Sequence, residues 1–169
     1  FLDPWADPYE SGFQLTQSLI AIGRGDWFGV GLGDSVQKLF YLPEAHTDFV
    51  FAVMAEELGF VGVTLTIILF GIVIFKAIAM GLNASKVGRP FQGLVSTGIG
   101  LSLGFQVFIN IGVNSGMLPT KGLTLPLISY GRTSVVVTLI MLGVLVRSYH
   151  ELQLAAQDMS VREARKKSR

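Results

Sequence analysis

The chain has 169 residues, half of them hydrophobic and only 15% charged, with a mean hydropathy of +0.55. Soluble domains carry about 25% charged residues, so the composition argues against a soluble globular domain and points to the bilayer. The absence of cysteine excludes disulfides, thiolate-held zinc and thiol catalysis. A net charge of +1 conceals a separation: nine of the 12 acidic residues fall within residues 1–59, whereas five bases crowd the last eight positions.

The opening Phe1-Leu2-Asp3-Pro4-Trp5 has no initiator Met and no basic run before an apolar stretch. It is expected to be the interior of a longer membrane protein, without a signal peptide. Residues 1–59 contain no span. Residues 12–22 predict a short amphipathic helix, with Phe13, Leu15, Leu19, Ile20 and Ile22 apolar, suited to the membrane interface. Five glycines follow in residues 23–33. Their spacing fits neither a dinucleotide fingerprint nor a P-loop, which favours a turn-rich interfacial loop over a phosphate cradle. Trp27 and Phe28 suit the headgroup region.

The segment Pro43-Glu44-Ala45-His46-Thr47-Asp48 leads into an apolar helix that carries Glu56 and Glu57. Thr47 is a plausible helix cap, with Asp48 in the first turn, where the helix dipole favours negative charge. The competing reading is functional, because ionisable groups at membrane depth usually line a cavity or pathway. Helical periodicity places Glu56 about 80° around the helix from Asp48 and Glu57 nearly opposite, so Glu56 is the expected companion. One His beside one carboxylate is too little to define a metal site at His46.

Three stretches are long enough to cross a hydrocarbon core, which takes roughly 20 apolar residues. They are residues 60–82, 91–113 and 125–146. Lys76, Lys86 and Arg89 cluster at the first connection, and Arg147 with the basic tail 147–169 follows the third span. The positive-inside rule makes the first connection and the basic tail cytoplasmic and puts residues 1–59 and the loop 116–132 outside. On the second span Ser96, Gly100 and Gly104 form a small-residue face for close helix packing, continued by Gly112 and Gly116. Gln106, Asn110 and Asn114 are expected to hydrogen-bond to neighbouring helices. In the outer loop, Pro119, Gly122, Pro126 and Gly131 interrupt the helix at membrane depth, where broken backbone must be buried or line a wet cavity. Lys121 and Arg132 are its two bases, suited to an anionic group or to interfacial anchoring. The expected fold class is an all-α integral membrane protein, a polytopic helical bundle.

Several long segments resemble the SEDS family (shape, elongation, division and sporulation). They are Leu42-Pro43-Glu44-Ala45-His46-Thr47-Asp48-Phe49-Val50-Phe51-Ala52, then Ala55-Glu56-Glu57-Leu58-Gly59, residues 118–126, and Ile128-Ser129-Tyr130-Gly131. Residues 12–14 and 17–23 fit as well, and Glu44-Ala45 before the His is most similar to the division branch. The resemblance implies a protein of roughly ten transmembrane helices, of which this chain would supply the large outer loop and the last three.

It also implies the activity, a peptidoglycan glycosyltransferase that polymerises lipid II during septal wall synthesis. The setting implied is the bacterial inner membrane at the division septum, with the active site outside. The implied partners are lipid II, a class B penicillin-binding protein transpeptidase and other divisome membrane proteins, with no nucleic acid. Asp48 aligns with the family's catalytic aspartate; Lys121, Arg132, Glu56, His46 and Ser129 are the candidate substrate-binding residues. Gly131-Arg132 departs from the family's usual Gly-Gly, which argues against close backbone approach there and adds a charge for phosphate. Lipid II is α-linked and the polymer β-linked, so one inverting displacement suffices, with Asp48 as base for the attacking 4-hydroxyl. Lys121 and Arg132 would stabilise the departing pyrophosphate, together with a divalent cation (Mg or Mn) held mainly by phosphate oxygens. A lipid II transporter and a non-catalytic division scaffold are the competing readings.

Overall fold

The structure, a computed structural model, describes residues 13–35, 47–119 and 122–167, the last of these by backbone alone at 161–163 and 165–167. The regular elements among these residues are all helical: α1 (Phe13–Arg24), α2 (Val50–Ala84), a 3-10 turn (Ser85–Val87), α3 (Pro90–Asn114) and α4 (Arg132–Lys167). α2, α3 and α4 are each long and apolar enough to cross a membrane. The fold is therefore an all-α, polytopic membrane fold. Leu65, Ile68, Leu69, Phe75, Phe105 and Phe108 point outward, as expected where the surroundings are lipid or further helices rather than water.

The small-residue face on α3 is where it meets α2. A Cβ on Gly100 would stand 3.0 Å from Ala77 Cβ, and one on Gly93 would stand 2.8 Å from the Gly81 carbonyl oxygen. Ser96, Ala77 and Ala84 are fully buried in this contact region. Dispersion between closely apposed backbones holds such pairs together in lipid, where no hydrophobic driving force acts between helices. The continuation of the face serves other partners. The space above Gly112 is filled by Leu118, and Gly116, at φ 74°, lies against Leu15 and Leu19 of α1. α1 thus docks on the bundle, burying Leu15, Thr16, Ser18 and Ala21.

Two boundaries differ from the sequence-based expectation. α4 starts at Arg132 rather than 125, because residues 126–128 form a turn in which Leu127 takes φ 65°. Pro126 also lacks the N–H that a continuous helix would use. At its other end α4 runs to Lys167 instead of stopping near 146. The residues beyond the apolar stretch are mostly good helix formers, and Arg147 pairs with Glu151 one turn on at 2.8 Å. Gln92 donates to Glu151 at 2.6 Å, so the start of α3 and the basic stretch of α4 share one end of the bundle.

The largest departure is inside α2, where Gly59 adopts φ 65°, ψ −168°. Met54 and Thr66 would lie about 18 Å apart on a continuous helix, yet the Thr66 hydroxyl reaches Met54 Sδ at 3.8 Å. Phe51 packs in one cluster with Val107 and Leu125, against which Val63 and Phe70 also rest. Residues 50–58 therefore fold back along residues 60–84, with Gly59 as the corner.

The glycine-rich loop makes this corner possible. A straight helix would pair Phe60 N–H with the Glu56 carbonyl and Val61 N–H with that of Glu57. Instead Val30 and Gly31 donate to Glu56 O and Glu57 O at 2.9 and 3.2 Å, while Phe60 and Val61 donate to Asp26 O and Trp27 O at 2.9 and 3.2 Å. These four groups orphaned by the break each find a loop partner, as buried backbone demands. Glycine is required because the backbones touch: a Cβ on Gly25 would meet Ala55 O at 1.9 Å, and one on Gly29 would meet Glu57 O at 2.1 Å.

Candidate active site

Because α2 reverses at Gly59, the segment before it is carried down beside the last turns of α3. Asp48 lies there, half-buried, immediately ahead of Phe49, the residue that caps the short helix 50–58. The N-cap position is taken by Phe49 and not by Thr47. The expected dipole argument survives in altered form: a carboxylate just before a helix N-terminus is stabilised in its charged state.

Two asparagines one helical turn apart hold the segment. Asn110 and Asn114 each donate through Nδ2 to the main-chain carbonyl of Asp48, at 3.1 and 3.0 Å. Asn114 Oδ1 accepts the Ala52 N–H at 3.3 Å, and Asn110 Nδ2 also donates to Leu123 O at 2.6 Å. Both amides are buried. They join three elements: α3, the folded-back (re-entrant) helix 50–58 and the loop 122–131. The sequence predicted hydrogen bonds from these side chains to neighbouring helices; the Ala52 N–H of α2 is such a partner, whereas the Asp48 and Leu123 carbonyls lie outside the helices.

Ser129 supplies a second tie. Its buried hydroxyl donates to Thr47 O at 2.6 Å and accepts the Leu125 N–H at 2.7 Å. Ser129 thus braces the acidic segment and the 125–129 turn instead of facing outward. Thr124 Oγ1 bonds Ser134 Oγ at 2.8 Å, and Gly131 sits against both side chains, so the loop is fastened to the start of α4. Arg132, the first residue of α4, is exposed. Gly122 is the residue whose role was not legible in the sequence. The space where its side chain would be is taken by the Asp48 carboxylate: a Cβ there would stand 2.7 Å from Oδ2.

Glu56 corrects an expectation. It is not a neighbour of Asp48, because the two occupy opposite ends of the folded-back segment, about 12 Å apart along its axis. Glu56 is fully buried at the corner, where Ser35 donates to Oε2 at 2.5 Å and the Arg24 guanidinium approaches Oε1 at 3.5 Å. A helical wheel gives angular position alone and carries no information about the burial imposed by a loop 20 residues upstream. His46 and Lys121, the other two candidates, lie outside the described residues.

Chemically, the arrangement is a carboxylate with a rigidly held backbone, set at a helix N-terminus against a broken outer loop. Its sides are α3 and the non-helical stretch 122–131.

A family model described as "Cell cycle protein", covering FtsW, RodA and SpoVE, matches residues 1–154. The probable peptidoglycan glycosyltransferase FtsW of Halorhodospira halophila is 60% identical over 158 residues, which is 94% of this chain and 40% of that protein. The protein of the same name from Methylococcus capsulatus is 63% identical over 147 residues, 87% of this chain and 37% of that one. The chain therefore spans about two fifths of the length of the relatives it matches. Among solved structures, one described as "Structural coordination of polymerization and crosslinking by a peptidoglycan synthase complex" aligns with a TM-score of 0.68 at 37% identity, over 88% of this chain and 39% of the other. An Asp-to-Ala mutant of the Thermus thermophilus rod shape determining protein RodA aligns with a TM-score of 0.54 at 44% identity, over 60% of this chain and 33% of the other. With the match running through the re-entrant helix, the outer loop and all three spans, the chain belongs to the FtsW/RodA/SpoVE family of cell cycle proteins.

Proposed function

We propose that the protein is a peptidoglycan glycosyltransferase that polymerises lipid II during septal wall synthesis, with Asp48 as its base. One observation carries the reading. Asp48 has its backbone pinned by Asn110 and Asn114 and its carboxylate set against Gly122, the neighbour of Lys121. General bases need this kind of fixed placement, because proton transfer is effective only within hydrogen-bond reach of the reacting hydroxyl. The names of the relatives, which carry peptidoglycan glycosyltransferase activity in their descriptions, support the same class of reaction.

In this reading the 4-hydroxyl of one lipid II attacks the anomeric carbon of another. The bond from that carbon to the pyrophosphate oxygen breaks, the configuration inverts from α to β, and the hydroxyl proton passes to Asp48. Lys121 and Arg132 receive the developing negative charge of the undecaprenyl pyrophosphate, the kind of stabilisation that usually supplies the largest part of a rate enhancement. His46 and Ser129 complete the candidate set, Ser129 through the segment it braces. Among the described residues no three His, Cys, Asp or Glu side chains converge. A divalent cation would be held mainly by phosphate oxygens, and the proton transfer to Asp48 does not depend on it. The setting we propose is the outer face of the bacterial inner membrane at the septum, with a class B penicillin-binding protein and other divisome membrane proteins as partners.

Lipid II polymerisation by the intact protein with its transpeptidase partner tests the proposal. Asp48→Asn is expected to lower polymer formation by at least about 100-fold while lipid II binding is retained. Normal polymer from that variant would remove Asp48 from the chemistry. If lipid II instead crossed vesicle membranes at a rate indifferent to Asp48→Asn, with no polymer from either protein, the transporter reading would replace this one. Partner recruitment without either activity would leave the scaffold.

A further inference from the structure

Glu56 lies about 12 Å from Asp48, yet the corner it occupies governs where Asp48 stands. The helix 50–58 is a lever pivoted at Gly59. Asp48 is about 15 Å from the pivot, so a tilt of roughly 10° swings it by about 2–3 Å. A misplacement of about 1 Å in a reacting group can cost on the order of 100-fold in rate. The lever is held at its pivot by the buried Glu56, through Ser35 at 2.5 Å and Arg24 at 3.5 Å. α1 also reaches the far end, where Ser18 donates to the Asn114 carbonyl at 2.8 Å and Asn114 in turn holds Asp48. One outer helix therefore contacts both the pivot and the clamp at the tip.

We infer that Glu56, with Arg24 and Ser35, is a positioning latch that sets the angle of the re-entrant helix and so the location of Asp48. The inference rests on the glycosyltransferase reading for its consequence but not for its geometry. The latch is separate from the four loop-to-corner backbone bonds, so weakening it leaves the corner folded and makes the Asn110, Asn114 and Ser129 ties at the tip bear the tilt alone. Glu56 touches neither Asp48 nor the loop at 122–131; its effect on the reaction is through place alone.

The chain contains no cysteine, which permits a direct test in the intact protein freed of any cysteines elsewhere. Met54→Cys and Thr66→Cys, at the 3.8 Å contact across the fold-back, are bridged with dibromobimane, which fluoresces only when both thiols react. Glu56→Gln keeps the shape and can still accept from Ser35 but loses the charge facing Arg24. Ser35→Ala removes only the hydroxyl, and guards against a Glu56 variant that fails to fold. Each is expected to lower bridging yield and to lower kcat about tenfold, with KM for lipid II within about twofold, the pattern of a group that acts on the transition state alone. Bridging the variants beforehand is expected to restore kcat to at least half that of the bridged wild type. A raised KM with unchanged kcat would make Glu56 a substrate contact and overturn the latch, as would a loss of kcat that bridging does not repair. Bridging yields indifferent to both variants would also overturn it. Absence of polymer from the wild type would sink the glycosyltransferase reading separately, since bridging is read without substrate.

Discussion

Asn114 grips the Asp48 segment from two sides: its Nδ2 donates to the Asp48 carbonyl at 3.0 Å and its Oδ1 accepts the Ala52 N–H at 3.3 Å. The side chain is fully buried and also bonds its own helix through Asn110 O at 2.8 Å. A single amide therefore fixes the backbone on either side of Phe49, where the re-entrant helix begins.

Replacing Asn114 with Leu preserves bulk but strands polar groups that have no water to turn to. The expected cost is about 1–3 kcal/mol for the groups left unpaired. Polymerisation should fall at least tenfold, with a lower melting temperature in detergent. Full activity in Asn114→Leu would show that the clamp does not matter to the reaction.

Gly122→Ala probes the approach of the outer loop to the candidate base. The added Cβ would stand 2.7 Å from Asp48 Oδ2, so either the loop or the carboxylate must shift by several tenths of an ångström. Because Gly122 is exposed, stability should change by less than about 1 kcal/mol. Lipid II polymerisation is expected to drop on the order of tenfold, and a paired measurement of melting temperature and polymer yield separates the two effects.

Gly59→Ala should be far more damaging. The residue holds φ 65° with ψ −168°, and its Cβ would lie 2.3 Å from Gly29 N. Strain at such a backbone position costs of order 1–3 kcal/mol before any clash is counted. Loss of folded protein, read by fluorescence size-exclusion chromatography, is expected. An alanine variant with wild-type yield and melting temperature would contradict the sharp corner.

Gly100→Leu tests the packing of the spans. Even a Cβ at this position would be 3.0 Å from Ala77 Cβ and 3.2 Å from Ile78 Cγ1, so a leucine must push α3 away from α2. Overpacking of this kind costs about 1–3 kcal/mol or more, expected as a lower melting temperature. Gly98→Leu, where a Cβ meets nothing within 4 Å, serves as the control and should be close to neutral.

The sequence by itself determined the membrane class, the three spans to within a few residues at most ends and the small-residue face that joins α3 to α2. It also singled out Asp48 and the broken outer loop. These features are local: apolar length, charge at the connections, glycine spacing and motif are properties of contiguous residues. Only the tertiary structure decided that α2 reverses at Gly59, that the glycine-rich loop supplies the backbone partners lost at the corner, and that Glu56 faces Arg24 and Ser35. The same holds for the two asparagines that close on the carbonyl of Asp48. In each of these cases the partners are tens of residues apart in the chain. A hydrogen bond from Val30 to Glu56, or from Asn114 to Asp48, leaves no mark on periodicity or hydropathy, and neither residue type reveals which distant backbone group it is to satisfy.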